Sequence, residues 1–79
     1  MPTSEWNEDG GTLTRNFEFA NFVEAFGFVT QVALVAQRHD HHPDLSISWN
    51  KVTITTTSHD AGNTITDRDR KLTAAIDKL

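Results

Sequence analysis

The chain has 79 residues, with 7 Lys and Arg, 11 Asp and Glu and no cysteine, for a formal net charge of −4 at pH 7. That balance, with no Lys/Arg run, argues against a phosphate-backbone partner such as nucleic acid, which needs clustered cations. The missing cysteines exclude disulfides, thiolate nucleophiles and Cys-based zinc sites.

Leu, Ile, Val and Phe together number nineteen, enough for one folded domain over residues 1–79. A domain of this size buries only about 60% of the surface its unfolded chain exposes, so self-association is expected. No apolar run approaches 18 residues and no charged-then-apolar leader is visible, so the expectation is a cytoplasmic protein with neither membrane span nor signal peptide.

In the polar N-terminal dozen residues, Asp9-Gly10-Gly11 is the clearest turn signal. With Gly10-Gly11 as a two-residue loop, a hairpin from about Ser4 to Phe19 sets Trp6 opposite Arg15, on the same face as Leu13, Phe17 and Phe19. Next, Asn21 followed three positions on by Glu24 has the pattern of a helix N-cap, and Phe22, Phe26, Val29, Ala33 and Ala36 recur at helical spacing. The spacing predicts a helix from about Phe22 to Arg38 whose stripe is buried as ordinary core. Gly27 within it costs about 1 kcal/mol relative to Ala, which points to close packing against another element. His39, at the helix end, suits an interaction with its unpaired carbonyls.

A second hairpin follows, in which Leu45, Ile47 and Trp49 alternate with serines, and Val52 and Ile54 with threonines. A two-residue loop at Asn50-Lys51, with Asn50 accepting positive φ, pairs Trp49 with Val52, Ile47 with Ile54 and Leu45 with Thr56. Continuing the count brings His42 opposite His59, and directly opposed residues have Cβ atoms about 4.5–5.5 Å apart. Pro43 ends the ladder just before that pair. The face of Thr53, Thr55 and Thr57 reads as a solvated or intersubunit surface. After a turn at Ala61-Gly62-Asn63, Thr66 and Asp69 have capping-box spacing, and Leu72, Ala75, Ile76 and Leu79 line one face of a terminal helix. The order β-β-α-β-β-α, without βαβ crossovers, predicts an α+β fold, a four-stranded antiparallel sheet with two helices on one face.

The chemistry concentrates at His41, His42 and His59. Imidazole is the side chain whose unperturbed pKa, about 6.5, lets it give and accept protons near neutrality. An acid/base enzyme is therefore the first hypothesis, with Asp40 and Asp69 orienting imidazoles or favouring their charged form. For His41 or His42 alone a helix-end role would be the simpler reading; their pairing with a turn-forming Pro43 and a facing third histidine shifts the balance towards a site. Asp69 has a capping role whatever else it does. The competing reading is a metal site built from His39, His41, His42, His59 and Asp40, ligands suited to zinc or nickel. Its spacing is no known zinc signature, and adjacent His41 and His42 point apart in an extended segment, so it ranks below proton transfer. Ser46, Ser48 and Ser58 lie in no G-x-S-x-G elbow, so a serine hydrolase is disfavoured.

These residues in order, namely Phe17-Glu18-Phe19, the run from Phe22 to Ala36, Asp40-His41-His42-Pro43, Trp49-Asn50-Lys51-Val52, Thr57-Ser58-His59 and Thr66-x-x-Asp69, resemble the pterin-4a-carbinolamine dehydratase family. The resemblance spans roughly Trp6 to Leu79. It implies dehydration of a small-molecule 4a-hydroxytetrahydropterin to quinonoid dihydropterin, without metal or organic cofactor, by a homodimer or homotetramer. It also implies that His41, His42, His59, Asp40 and Asp69 form the site, with His59 and His42 as the acid/base pair and His41 holding or stacking on the pterin. Backbone groups around Thr57, Ser58 and Asp60 are then expected to read the pyrimidine edge. Two departures stand out: Gln37 replaces a usual Glu four residues before the first tandem histidine, and the helix that usually precedes the segment aligning with Trp6 is expected to be missing. Some animal relatives act as dimerisation cofactors for a homeodomain transcription factor, so a binding role without catalysis is the alternative.

Overall fold

The computed structural model describes residues 5–79, so the Ser4 end of the predicted first hairpin lies outside the described residues. Gly10 and Gly11 both take positive φ, the conformation a two-residue hairpin loop needs. They join β1 (Asn7–Asp9) to β2 (Thr12–Glu18) in the expected register, Asp9 opposite Thr12 and Asn7 opposite Thr14. A Cβ at Gly11 would collide with the carbonyl of Asn63, so this turn also docks on the loop that carries His59.

Asn21 caps α1 (Phe22–His39), its side chain accepting the Glu24 N–H at 2.9 Å. The helix faces the sheet differently from the expectation. Ala25, Val32, Val35 and Ala36 are buried, with Phe28 and Val29 packed beside them, while Phe22, Phe26 and Ala33 are exposed. Phe28 decides the rotation, lying 4.8 Å from the Phe17 ring and 5.0 Å from that of Phe19. Because the helix is apolar nearly all round, two stripes satisfied the same period, and only the sheet's own aromatics select between them. Gly27 is exposed with open space beside it, contrary to the close packing expected there.

The second hairpin joins β3 (Asp44–Ser48) to β4 (Lys51–Thr56) through Trp49-Asn50, not Asn50-Lys51. Ile47 therefore faces Val52 and Leu45 faces Ile54. Trp49 takes the positive φ of 53°, while Asn50 is tied to Phe19, whose carbonyl accepts its side-chain amide and whose N–H donates to its carbonyl, both at 2.9 Å. That anchor holds Asn50 in the loop and moves the pairing by two residues, so His42 does not face His59 across the ladder. Since the slip is even, every side chain keeps its predicted face.

The sheet order is β1-β2-β4-β3, antiparallel throughout, with β2 and β4 central. Phe17, Val52 and Ile54 on its inner face meet α1 and, from α2 (Asp67–Ile76), Leu72 and Ile76. This is the predicted α+β architecture, with both helices on one face. Leu79, expected on the α2 stripe, lies beyond the helix and is exposed. Asp77 pins the end of α2 to the sheet, accepting from Trp6 Nε1 at 2.9 Å and from Arg15 at 2.8 Å.

Candidate functional site

Helix α1 stops at a left-handed Asp40 with φ 51°. The Asp40 N–H bonds to the Gln37 carbonyl and the His41 N–H reaches back to Ala36, the Schellman pattern with Asp in the place usually taken by Gly. This reversal turns His41 and His42 off the helix towards the end of β4. There the chain bends at Thr57 and Ser58 into a 3₁₀ turn, His59–Ala61, closed by left-handed Gly62 and Asn63. The two bends meet at an open cleft of about 300 Å³ lined by Asp40, His41, His42, Thr57, His59 and Asp60.

The three imidazoles converge through these bends and not through the hairpin ladder. Each has a defined partner. His42, exposed, donates Nε2–H to Gln37 Oε1 at 3.0 Å, and His59, also exposed, donates Nδ1–H to Asn63 Oδ1 at 2.8 Å. When neutral, they carry their lone pairs on His42 Nδ1 and His59 Nε2. His41 bonds inward instead, to Asp69. Only 8% exposed, its Nε2 lies 2.6 Å from Asp69 Oδ1. The ring is buried to this depth and still lines the cleft.

Asp69 sits at 0% exposure behind His41. Its Oδ1 accepts from His41 and from Thr56 Oγ1 at 2.6 Å, and its Oδ2 accepts from Ser58 Oγ at 2.7 Å and the Thr66 N–H at 2.9 Å. Burial pushes this carboxyl up, but hydrogen bonds from Thr56, the Thr66 N–H, His41 and Ser58 outweigh it and hold the group well below the usual carboxylate range. Asp69 also completes the predicted capping box with Thr66. One side chain thus starts α2 and anchors the base of the cleft.

Ser58 does not fit its expected role in reading a ligand. Its N–H donates to Thr64, its carbonyl accepts from Ala61 and Asn63, and its side chain is fully buried. Every polar group of Ser58 is committed to the protein. Thr57 and Asp60 do reach the cleft. The Asp60 carboxylate is gripped by Arg68 at 2.5 and 3.0 Å, a bond that lowers its pKa. Pro43, half-buried, leads the chain into β3. His39 lies apart, lining another groove with Arg38, Lys71 and Lys78. Among the described residues no three His, Cys, Asp or Glu side chains are grouped as metal ligands would be. Sequence reasoning missed Thr56 and Asn63, whose only signal was adjacency to the histidine loop.

Known proteins resemble this chain in sequence and in fold. A protein of Prochlorococcus marinus (strain NATL2A), provisionally named pterin-4-alpha-carbinolamine dehydratase, is 51% identical over 94% of this chain and 77% of its own length. Another of that provisional name, from Rhodospirillum rubrum, is 52% identical over 85% of this chain and 69% of its own. A crystal structure of a transcriptional coactivator/pterin dehydratase from Brucella melitensis superposes with a TM-score of 0.86 at 34% identity, covering 95% of this chain and 81% of the other. A pterin dehydratase-like protein described as a RuBisCO assembly factor in the alpha-carboxysome shares the fold, with a TM-score of 0.79 at 20% identity over 96% of this chain and 89% of that one. The sequence pattern described as Pterin 4 alpha carbinolamine dehydratase matches residues 1–79, and the chain belongs to that family.

Proposed function

We propose that this protein dehydrates a 4a-hydroxytetrahydropterin to the quinonoid dihydropterin, with His42 and His59 as the acid/base pair. The observation that carries the reading is that both imidazoles reach one cleft with one ring nitrogen held by an amide oxygen and the other unoccupied by that bond. One imidazole takes the proton of the ring N–H, the electron pair left there forms the C=N bond, and the C4a–O bond breaks. The other, in its protonated form, gives the departing hydroxyl the proton that makes it water. Each such group contributes about 10²–10⁴-fold when positioned. Gln37 orients His42 as a neutral amide, where a carboxylate would also favour the charged imidazole.

A direct assay of the purified protein on 4a-hydroxytetrahydropterin tests the reading. Turnover is expected, and chelator treatment is expected to leave it unchanged. No acceleration above the uncatalysed rate would sink it and favour a second reading, a binding protein on the same fold. Apart from the cleft, Phe22, Val23, Phe26 and Leu34 are exposed apolar residues on α1, at 49%, 77%, 54% and 64% exposure. Contiguous apolar surface marks an interaction site.

We assign these residues to self-association into a dimer or tetramer, which would bury what an 8.9 kDa chain leaves in water. Sedimentation at micromolar concentration is expected to give an oligomer for the parent and a smaller species for Phe26→Glu. A stable parent monomer would contradict it.

A further inference from the structure

Beneath the cleft, the chain has spent two hydroxyls on one carboxylate. Each oxygen of Asp69 accepts two hydrogen bonds, Thr56 and His41 sharing Oδ1 while Ser58 and the Thr66 N–H share Oδ2. The four lone-pair positions of a carboxylate are then filled, and the group cannot rotate without breaking a bond. Thr66 adds a further link. The single hydroxyl proton of Ser58 goes to Asp69, so at the 2.7 Å Ser58–Thr66 contact the Thr66 hydroxyl donates and Ser58 Oγ accepts. A chain of aligned donors therefore ends on the carboxylate, and such chains polarise one another in a buried setting.

An ionised carboxylate only accepts, so as long as Asp69 Oδ1 is held against the ring the proton of a neutral His41 stays on Nε2. Nδ1 has no hydrogen-bond partner among the described residues and is not one of the buried unpaired atoms, and His41 lines the cleft. We infer that Thr56 and Ser58 are positioning residues for His41: their hydroxyls aim Asp69 so that the imidazole presents Nδ1 to the ligand as a hydrogen-bond acceptor. The group it takes is a ring N–H or exocyclic amine of a flat nitrogen heterocycle. That last step rests on the dehydratase reading, whereas the fixed tautomer does not.

Two readouts separate the two. Long-range ¹H–¹⁵N correlation on histidine-labelled protein reports which ring nitrogen bears the proton, with no substrate present. The parent is expected to show His41 as a single Nε2–H tautomer at a pH where the ring is neutral. Thr56→Val removes the hydroxyl at nearly constant shape, and Thr56→Val with Ser58→Ala removes both. The double variant is expected to show a mixture of tautomers, and Thr56→Ser to restore the parent spectrum. In the enzyme assay Thr56→Val is expected to raise KM about 10-fold, at the lower end for an outer partner of a functional histidine, with kcat moved less and Thr56→Ser restoring both.

A parent protein without turnover but with the tautomer shift would defeat the enzyme reading and leave this inference standing. His41 held as Nε2–H in a folded double variant would overturn the inference. If the double variant does not fold, Ser58→Ala alone carries the same test, with the same spectrum deciding.

Discussion

Asp69→Ala is expected to destabilise the fold by about 3–5 kcal/mol, because it leaves several buried donors unpaired at about 1–3 kcal/mol each. The side chain is fully buried and satisfies Thr56, Ser58, His41 and the Thr66 N–H at once. Its loss strands four donors where water has little access and removes the capping box of α2. Domains are stable by only about 5–15 kcal/mol in total, so the variant should lose a large share of its urea midpoint. Asp69→Asn separates charge from shape. Because the folded-state pKa of Asp69 is lowered, its charge contributes stability that is fully present above the unfolded value of about 3.9 and is lost as pH falls through the folded one. The stability gap between parent and Asp69→Asn should therefore hold steady from pH 7 to about 5 and narrow below about 4. A gap unchanged at pH 3 would show that the carboxylate's charge is not what the four donors stabilise.

What local sequence could and could not reveal follows from how far away each cause lies. The first hairpin was legible because Gly10-Gly11 fixes its own loop geometry. The second slipped by two residues because its loop is set by Asn50 bonding to Phe19, 31 positions away, and because the bulky Trp49 accepts a positive φ that favours Asn on its own. The caps of both helices were readable from Asn21 with Glu24 and from Thr66 with Asp69, since capping is local. The buried face of α1 was not, because Phe22 and Phe26 compete with Ala25 and Phe28 for the same period and only the rings of Phe17 and Phe19 discriminate. At the site, the histidines announced themselves by type. Thr56 did not, being one of several threonines in a row whose inward-facing member is fixed by strand phase. Ser58 carried the wrong role because the commitment of its backbone to Thr64, Ala61 and Asn63 depends on the left-handed turn at Gly62 and Asn63.

His59→Ala is expected to lower turnover on a 4a-hydroxytetrahydropterin by about 10²–10⁴-fold, the range for one positioned acid or base. The residue opens the 3₁₀ turn and is exposed, with a single side-chain bond among the described residues, to Asn63. Its removal should therefore move stability by no more than about 0.5–1.5 kcal/mol, the net worth of one hydrogen bond. A large kinetic loss without a matching loss of stability is the signature of chemistry and not of scaffolding. His42→Ala should behave alike, since it reaches the same cleft from the other bend. His39→Ala supplies the control: it sits in the last turn of α1, in a separate groove with Arg38, and should retain parent activity. Adding imidazole to His59→Ala should recover part of the rate if the missing function is proton transfer, because the small base can enter an open cleft of this size. Equal losses in the His39 and His59 variants would mean that the histidines act through the fold, and would turn the argument towards a binding role for the exposed face of α1.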